Sequence, residues 1–241
     1  MSDNVDAQNI LKAEITDTLV KVNYSYNGRT TDKNITLESF ITALQANVKN
    51  LKSMEFYPIG MRLKARKGNS VIVAYEFPER VQEIVYNVAA DRNETFKTKF
   101  PWGITFIEFD ETPEGFQWKK FYQLALKGPA TFLDTMMYEW PGTNIYNDHS
   151  VCMGSNNPPK VKSLEQTSGF PWLFYNGVNT HDISGGNFQH FKDDNGSSIN
   201  NPYSMYKYME PKADGTVRDY PYDKLNNALS IKSFLEGKGY L

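Results

Sequence analysis

One cysteine, Cys152, and three histidines in 241 residues leave little reactive or metal-binding chemistry to assign. A lone thiol closes no internal disulfide, which fits a chain folded in a reducing compartment. No apolar run approaches the ~18 residues that a membrane-spanning helix needs, and the start, Met1 to Gln8, is polar and acidic rather than basic-then-apolar. The expected localisation is therefore cytoplasmic, without an export signal. Phosphate-cradling glycine loops, cysteine pairs for zinc and a His-Glu-x-x-His helix are all absent. A metal site would have to combine His149, His181 and His190 with Asp148 or Asp182; histidines so scattered are more often surface or hydrogen-bonded core residues, so no metal and no cofactor is expected. A formal net charge of −2 gives no electrostatic reason to bind nucleic acid.

What is present is apolar and aromatic. Hydrophobic residues make up 40% of a 27.6 kDa chain, enough for a sizeable core. The expectation is a single domain over 1–241, with a loop insertion at 184–201, where Gly, Ser, Asn and Asp concentrate, and a C-terminal helical extension over 202–241. Fifteen Tyr, 15 Phe and 4 Trp include Tyr203, Tyr206, Tyr208, Tyr220 and Tyr222, which either pack on the core or meet a partner; core packing is the default. The basic cluster Arg62, Lys64, Arg66 and Lys67 alternates with Leu63 and Ala65, as on the solvated face of a strand.

Periodicity sorts the rest. Ala13 to Tyr26 alternates in part and is followed by Asn27-Gly28, a strand pair across a turn. Thr36 is placed to cap a helix in which Leu37, Phe40, Ile41, Leu44, Val48 and Leu51 recur on one face, and that stripe needs a sheet to cover. Strands follow at Met61 to Ala65, Ser70 to Phe77, Val81 to Val88, Ile104 to Phe109 and Trp118 to Leu126, with Lys67-Gly68-Asn69 as a turn. The expected class is α+β, an antiparallel meander flanked by helices. A helix or turn is expected around Leu164 to Tyr175, and weaker helical spacing runs from Tyr222 to Glu236.

The thiol closes the stretch Trp140-Pro-Gly-Thr-Asn-Ile-Tyr-Asn-Asp-His-Ser-Val-Cys-Met-Gly154, a turn-rich hairpin. Asn144 lies eight residues upstream, and Asn147-Asp148-His149-Ser150 can fold the chain back to bring the two together. A thiolate attacking a thioester builds negative charge on the carbonyl oxygen, to which a side-chain amide can donate a hydrogen bond. His149 is placed to lower the thiol pKa or to act as a base. The competing reading is a buried thiol that packs as a small hydrophobe.

With these residues laid out, the chain resembles the ubiquitin-conjugating-enzyme (UBC-like) superfamily, in which an Asn precedes the active cysteine by eight residues. More closely it resembles the prokaryotic family D branch that includes PRTRC system protein B. Asn144-Ile-Tyr146, Val151-Cys-Met-Gly154, Pro158 and Phe174-Tyr-Asn-Gly-Val-Asn-Thr-His181 fall in that branch's order, and Val71 to Pro78 with Arg80 matches its upstream strand. The resemblance spans roughly residues 13 to 182. It implies a UBC-like fold, Cys152 as nucleophile carrying a ubiquitin-like protein or acyl group as a thioester, Asn144 as oxyanion donor, and partners in an adenylating protein, a ubiquitin-like protein and a JAB-type peptidase. Members are commonly encoded on plasmids and other mobile elements. Two departures stand out: Gly142-Thr143 replaces the usual His-Pro, and His149 replaces a turn glycine. They leave room for a non-catalytic binding or structural module of a plasmid or phage assembly, with a place in the virion.

Overall fold

The structure is a computed structural model that describes residues 10–15, 19–26, 29–36, 39–40, 60–89, 92–180, 183 and 191–241. The chain divides into two compact units, Met1–Phe56 and Tyr57–Leu241. In the first, β1 (Ile10–Ile15), β2 (Leu19–Tyr26) and β3 (Arg29–Thr36) form an antiparallel sheet in sequence order. Val20 and Val22 are buried, while Leu19 and Lys21, which alternate with them, are exposed. The pairing of β2 with β3 across residues 27–28 is as expected. The expected helix over 37–51 lies outside the described residues except for Ser39 and Phe40, which are helical. Its cap is in place: Thr36 Oγ1 accepts from the Ser39 N–H at 3.1 Å.

The second unit is built on a six-stranded antiparallel sheet. Its strands are β4 (Met61–Lys67), β5 (Ser70–Phe77), β8 (Trp102–Thr112), β9 (Gly115–Leu126), β10 (Met136–Glu139) and β11 (Asn227–Ser230), in the order β11-β10-β9-β8-β5-β4. The hairpin of β6 (Arg80–Ala89) and β7 (Arg92–Phe100) leaves this sheet between β5 and β8 and forms a ribbon of its own. Strand β7, Arg-Asn-Glu-Thr-Phe-Lys-Thr-Lys-Phe, has too few apolar residues to read as a strand from sequence; Phe96, Thr98 and Phe100 alternate inward and are all buried. The basic cluster sits on the edge strand β4, where Arg62 pairs with Glu76 at 3.0 Å and Arg66 with Glu111. Charged side chains on an edge discourage further strand pairing.

Strand β5 is buried at every position from Val71 to Glu76, so the sheet is covered on both faces. One face carries Ile72, Ala74, Phe106, Tyr122 and Leu124, beneath Ile231, Phe234 and Leu235 of helix α3 (Ile231–Lys238). Ser230 Oγ caps α3 by accepting from the Ser233 N–H at 3.1 Å, and Gly239 ends it at φ 74°, a left-handed conformation natural to glycine. The helical spacing expected over Tyr222 to Glu236 is thus correct only in its second half, because Asn227–Ser230 pairs with β10 as an edge strand.

The opposite face carries Val71, Val73, Tyr75, Ile107, Phe109 and Phe121, and irregular chain covers it. That cover includes a 3-10 turn at Leu164–Thr167, helix α1 (Pro171–Tyr175) and helix α2 (Pro202–Tyr208). Asn201 Oδ1 caps α2 from the Ser204 N–H at 2.8 Å, with Pro202 at the first helical position. Tyr206 and Tyr220 are buried and Tyr203, Tyr208 and Tyr222 lie against them, so the tyrosines belong to the core. Residues 191–201 are irregular and mostly exposed chain, anchored by the buried Phe191 and Ile199. Among the described residues no helix is long and apolar enough to cross a membrane.

Candidate functional site

The segment before the thiol is fixed from behind. Trp140, Pro141, Gly142 and Thr143 are buried. A Cβ on Gly142 would stand 2.5 Å from Trp140 Nε1 and 2.6 Å from Tyr206 Oη, so no larger residue fits there without displacement. Thr143 N–H donates to Tyr206 Oη at 3.1 Å, and both the Thr143 hydroxyl (2.8 Å) and the Tyr206 hydroxyl (2.9 Å) donate to Asn179 Oδ1. Asn179 is itself tied to β6 through Asn179 N–H to Val85 O and Asn87 N–H to Asn179 O, both 2.8 Å. A buried polar group must find partners, and here Thr143, Asn179 and Tyr206 satisfy one another. Gly142 and Thr143 thus have their own means of locking the backbone ahead of Asn144.

Asn144 to Cys152 then folds back as a tight hairpin. Cys152 N–H donates to Asn144 O at 2.8 Å, Tyr146 N–H to Ser150 O at 2.8 Å and His149 N–H to Tyr146 O at 2.9 Å, around an antiparallel bridge between Ile145 and Val151. Both reversals need a left-handed residue, supplied by Asn144 (φ 62°) and His149 (φ 65°). Asn and His are among the non-glycine residues most tolerant of it. The hairpin is stitched to the free edge of β9 by Val151 N–H to Phe121 O (2.9 Å) and Gln123 N–H to His149 O (3.0 Å). Ile145 and Val151 anchor it in the core.

Cys152 ends this hairpin partly exposed, on the wall between two grooves. One, of about 840 Å³, is lined by Trp118, Lys119, Lys120, Tyr146, Asp148 and Met153 among others. The second, of about 430 Å³, is lined by Asn144, Leu173, Phe174, Val178, Thr180 and Ile183 among others. The thiol is thus reachable from both sides.

The three sequence candidates separate here. Asn144 shares the second groove with Cys152, and its main chain is bonded to the cysteine; its Nδ2 donates one proton to Val178 O at 2.9 Å, and its Oδ1 accepts from Thr180 Oγ1 at 3.4 Å. An amide nitrogen carries two protons, so one donor is left over from the Val178 contact. His149 lines neither groove. Burial depresses its pKa, against the opposing pull of the Glu139 and Asp148 carboxylates. His181, Asp182 and His190 lie outside the described residues.

Two neighbours of the thiol escape a sequence reading. Tyr146 lines the larger groove with Cys152, and interaction with the thiol holds its phenol above the ordinary pKa. It is consequently a proton donor at neutral pH. Lys120 pairs with Asp148 at 2.8 Å on the rim of the larger groove. Burial opposes the Asp148 charge, but hydrogen bonds from Lys120 and Ser150 outweigh it and hold the carboxyl well below the usual range. The one signal for Tyr146 in the sequence was its place two residues into a hairpin that ends in Cys; Lys120 had none, since only the pairing of β9 with the hairpin brings it near.

A family model described as Prokaryotic E2 family D matches residues 37–228, well over half of the chain and including the whole hairpin. Comparison with curated proteins and with solved structures gives no match. The chain belongs to prokaryotic E2 family D.

Proposed function

We propose that Cys152 carries a ubiquitin-like protein or other acyl group as a thioester and passes it to an amine or a second thiol. The observation that carries this reading is the placement of the family segment's thiol: partly exposed at the end of a rigid hairpin, between two grooves, with Asn144 in one of them. An activated acyl donor arrives with its energy already in the bond, so a positioned thiol and one oxyanion donor are sufficient protein chemistry. The Tyr146 hydroxyl, which keeps its proton at neutral pH, lines the same groove as the thiol. The proposed partners are an adenylating protein and a ubiquitin-like protein, with a JAB-type peptidase to reverse the product.

The test is incubation with the cognate adenylating protein, ATP and ubiquitin-like protein. Wild type is expected to form an adduct that thiol reductant cleaves, and Cys152→Ser a slower, reductant-resistant ester. Absence of any adduct beside a demonstrably active adenylating protein would sink the carrier reading. The second reading, a binding or structural module of a plasmid or phage assembly, draws on one observation: the Asn144 amide is engaged with Val178 O rather than with the sulfur.

A further inference from the structure

We propose that Lys120 is an acceptor for the group carried by Cys152, so that the protein modifies itself at the rim of its own groove. The inference rests on the carrier reading of Cys152. Its ground is register: Tyr122 on β9 bridges Ser150 in antiparallel fashion, and the flanking bonds Val151 N–H to Phe121 O and Gln123 N–H to His149 O fix the alignment. Lys120 and Cys152 each lie two residues beyond that bridge, at the same end of the paired segments. Both residues line the larger groove. The ion pair with Asp148 keeps the Lys120 ammonium at this rim, and its stem lies near the Tyr122 ring, with Nζ 5.5 Å from the centroid. Lys119 lines the same groove but turns to Asp110 at 3.3 Å, which makes it an internal control.

The chemistry balances without a co-reactant. After the ammonium gives a proton to water, the neutral Nζ adds to the thioester carbonyl carbon. The C–N bond forms, the C–S bond breaks, Cys152 leaves as thiolate, and the surplus proton on nitrogen passes to water. The product is an amide on Lys120 that blocks the groove beside the regenerated thiol.

The experiment loads the intact chain with the mercaptoethanesulfonate thioester of a short biotinylated peptide ending in glycine, removes excess reagent by desalting, and follows the adduct by peptide mass spectrometry. Expected is a reductant-labile adduct on Cys152 that decays into a reductant-resistant amide on Lys120, favoured over Lys119 by at least roughly tenfold because Asp148 holds Lys120 against the thiol's hairpin while Lys119 turns to Asp110. Cys152→Ser should lack the Lys120 amide, and Lys120→Arg, which keeps the charge beside Asp148, should hold the thioester longer. A thioester on Cys152 whose amide appears on Lys119 or nowhere overturns the acceptor assignment and leaves the carrier reading standing, as does equal Lys120 labelling in Cys152→Ser. No thioester on Cys152 overturns both.

Discussion

The two faces of the six-stranded sheet are covered by opposite means. On one, helix α3 sets Ile231, Phe234 and Leu235 over Ile72, Phe106 and Tyr122, a contact made of apolar side chains. On the other, irregular chain between Trp140 and Leu225 covers Val73, Tyr75 and Phe121. A helix satisfies its own backbone, whereas irregular chain brings polar groups that must be paired before they are buried. That face accordingly holds the buried bonds Tyr75 Oη to Thr167 Oγ1 at 2.6 Å, Thr98 Oγ1 to Tyr206 O at 3.0 Å and the Thr143, Asn179 and Tyr206 set. The candidate site lies at the margin of the hydrogen-bonded face. Apolar contact fixes stability, and the polar network fixes where one hairpin ends.

The largest effect that would test this division is on the helical face. Phe234 lies 4.5 Å from the Phe106 ring and 5.2 Å from Tyr122, centre to centre. Phe234→Ala should cost about 3–5 kcal/mol in denaturant unfolding. In the fraction that remains folded, the reactivity of Cys152 toward a thiol reagent should be unchanged. A change in that reactivity at full folding would mean that the two faces are not separable.

On the other face, Asn144 is expected to affect chemistry before stability. Removal of one oxyanion donor costs about a hundredfold in rate. Because Asn144 sits at φ 62°, Asn144→Ala would add backbone strain to the loss of the amide, so Asn144→Gly is the cleaner variant. Transfer from loaded Cys152 should slow by roughly a hundredfold in Asn144→Gly, with the thermal midpoint nearly unmoved. Full-speed transfer would remove the amide from the mechanism.

Tyr206→Phe sits between these two in effect. It deletes the acceptor of the Thr143 N–H and one donor to Asn179 while keeping the ring that packs edge-on or tilted against Phe96, Phe100 and Tyr86. A buried donor left without a partner costs about 1–3 kcal/mol. Unlike Phe234→Ala, this variant should also raise the reactivity of Cys152, because the backbone ahead of Asn144 is released. A loss of stability with no change at the thiol would show that the network is structural only.

How much of this division could be read from the chain depends on which forces shape each part. The continuous apolar run of β5 and the alternation in β8 and β9 are periodic signals, and they located the sheet. The hairpin was readable because Asn147-Asp148-His149 is turn chemistry and because a family spacing joins Asn144 to Cys152. Strand β7 was not, since its inward side chains are Phe96, Thr98 and Phe100 among polar neighbours. The buried roles of Thr143 and Asn179 were equally silent: a hydrogen bond across 36 residues leaves no periodicity. Lys120 is the same case, a surface-type residue whose position is set by register with a segment 28 residues on.

The smallest expected effect is on pH dependence, and it also tells the faces apart. His149 is half-buried at φ 65°, and burial lowers its pKa, so the folded protein binds its proton less readily than the unfolded chain. Where the unfolded state holds more protons, stability rises with pH. The contribution is therefore complete above the unfolded value of about 6.5 and is lost as pH falls from there toward the lowered folded value. His149→Asn tolerates the left-handed backbone and does not titrate. The variant should show a flatter decline of the thermal midpoint below about pH 6.5 and the same Cys152 reactivity, since His149 lines neither groove beside the thiol. If instead thiol reactivity in wild type rises through this range and His149→Asn abolishes the rise, His149 acts on the cysteine directly and the boundary drawn here between support and site is misplaced.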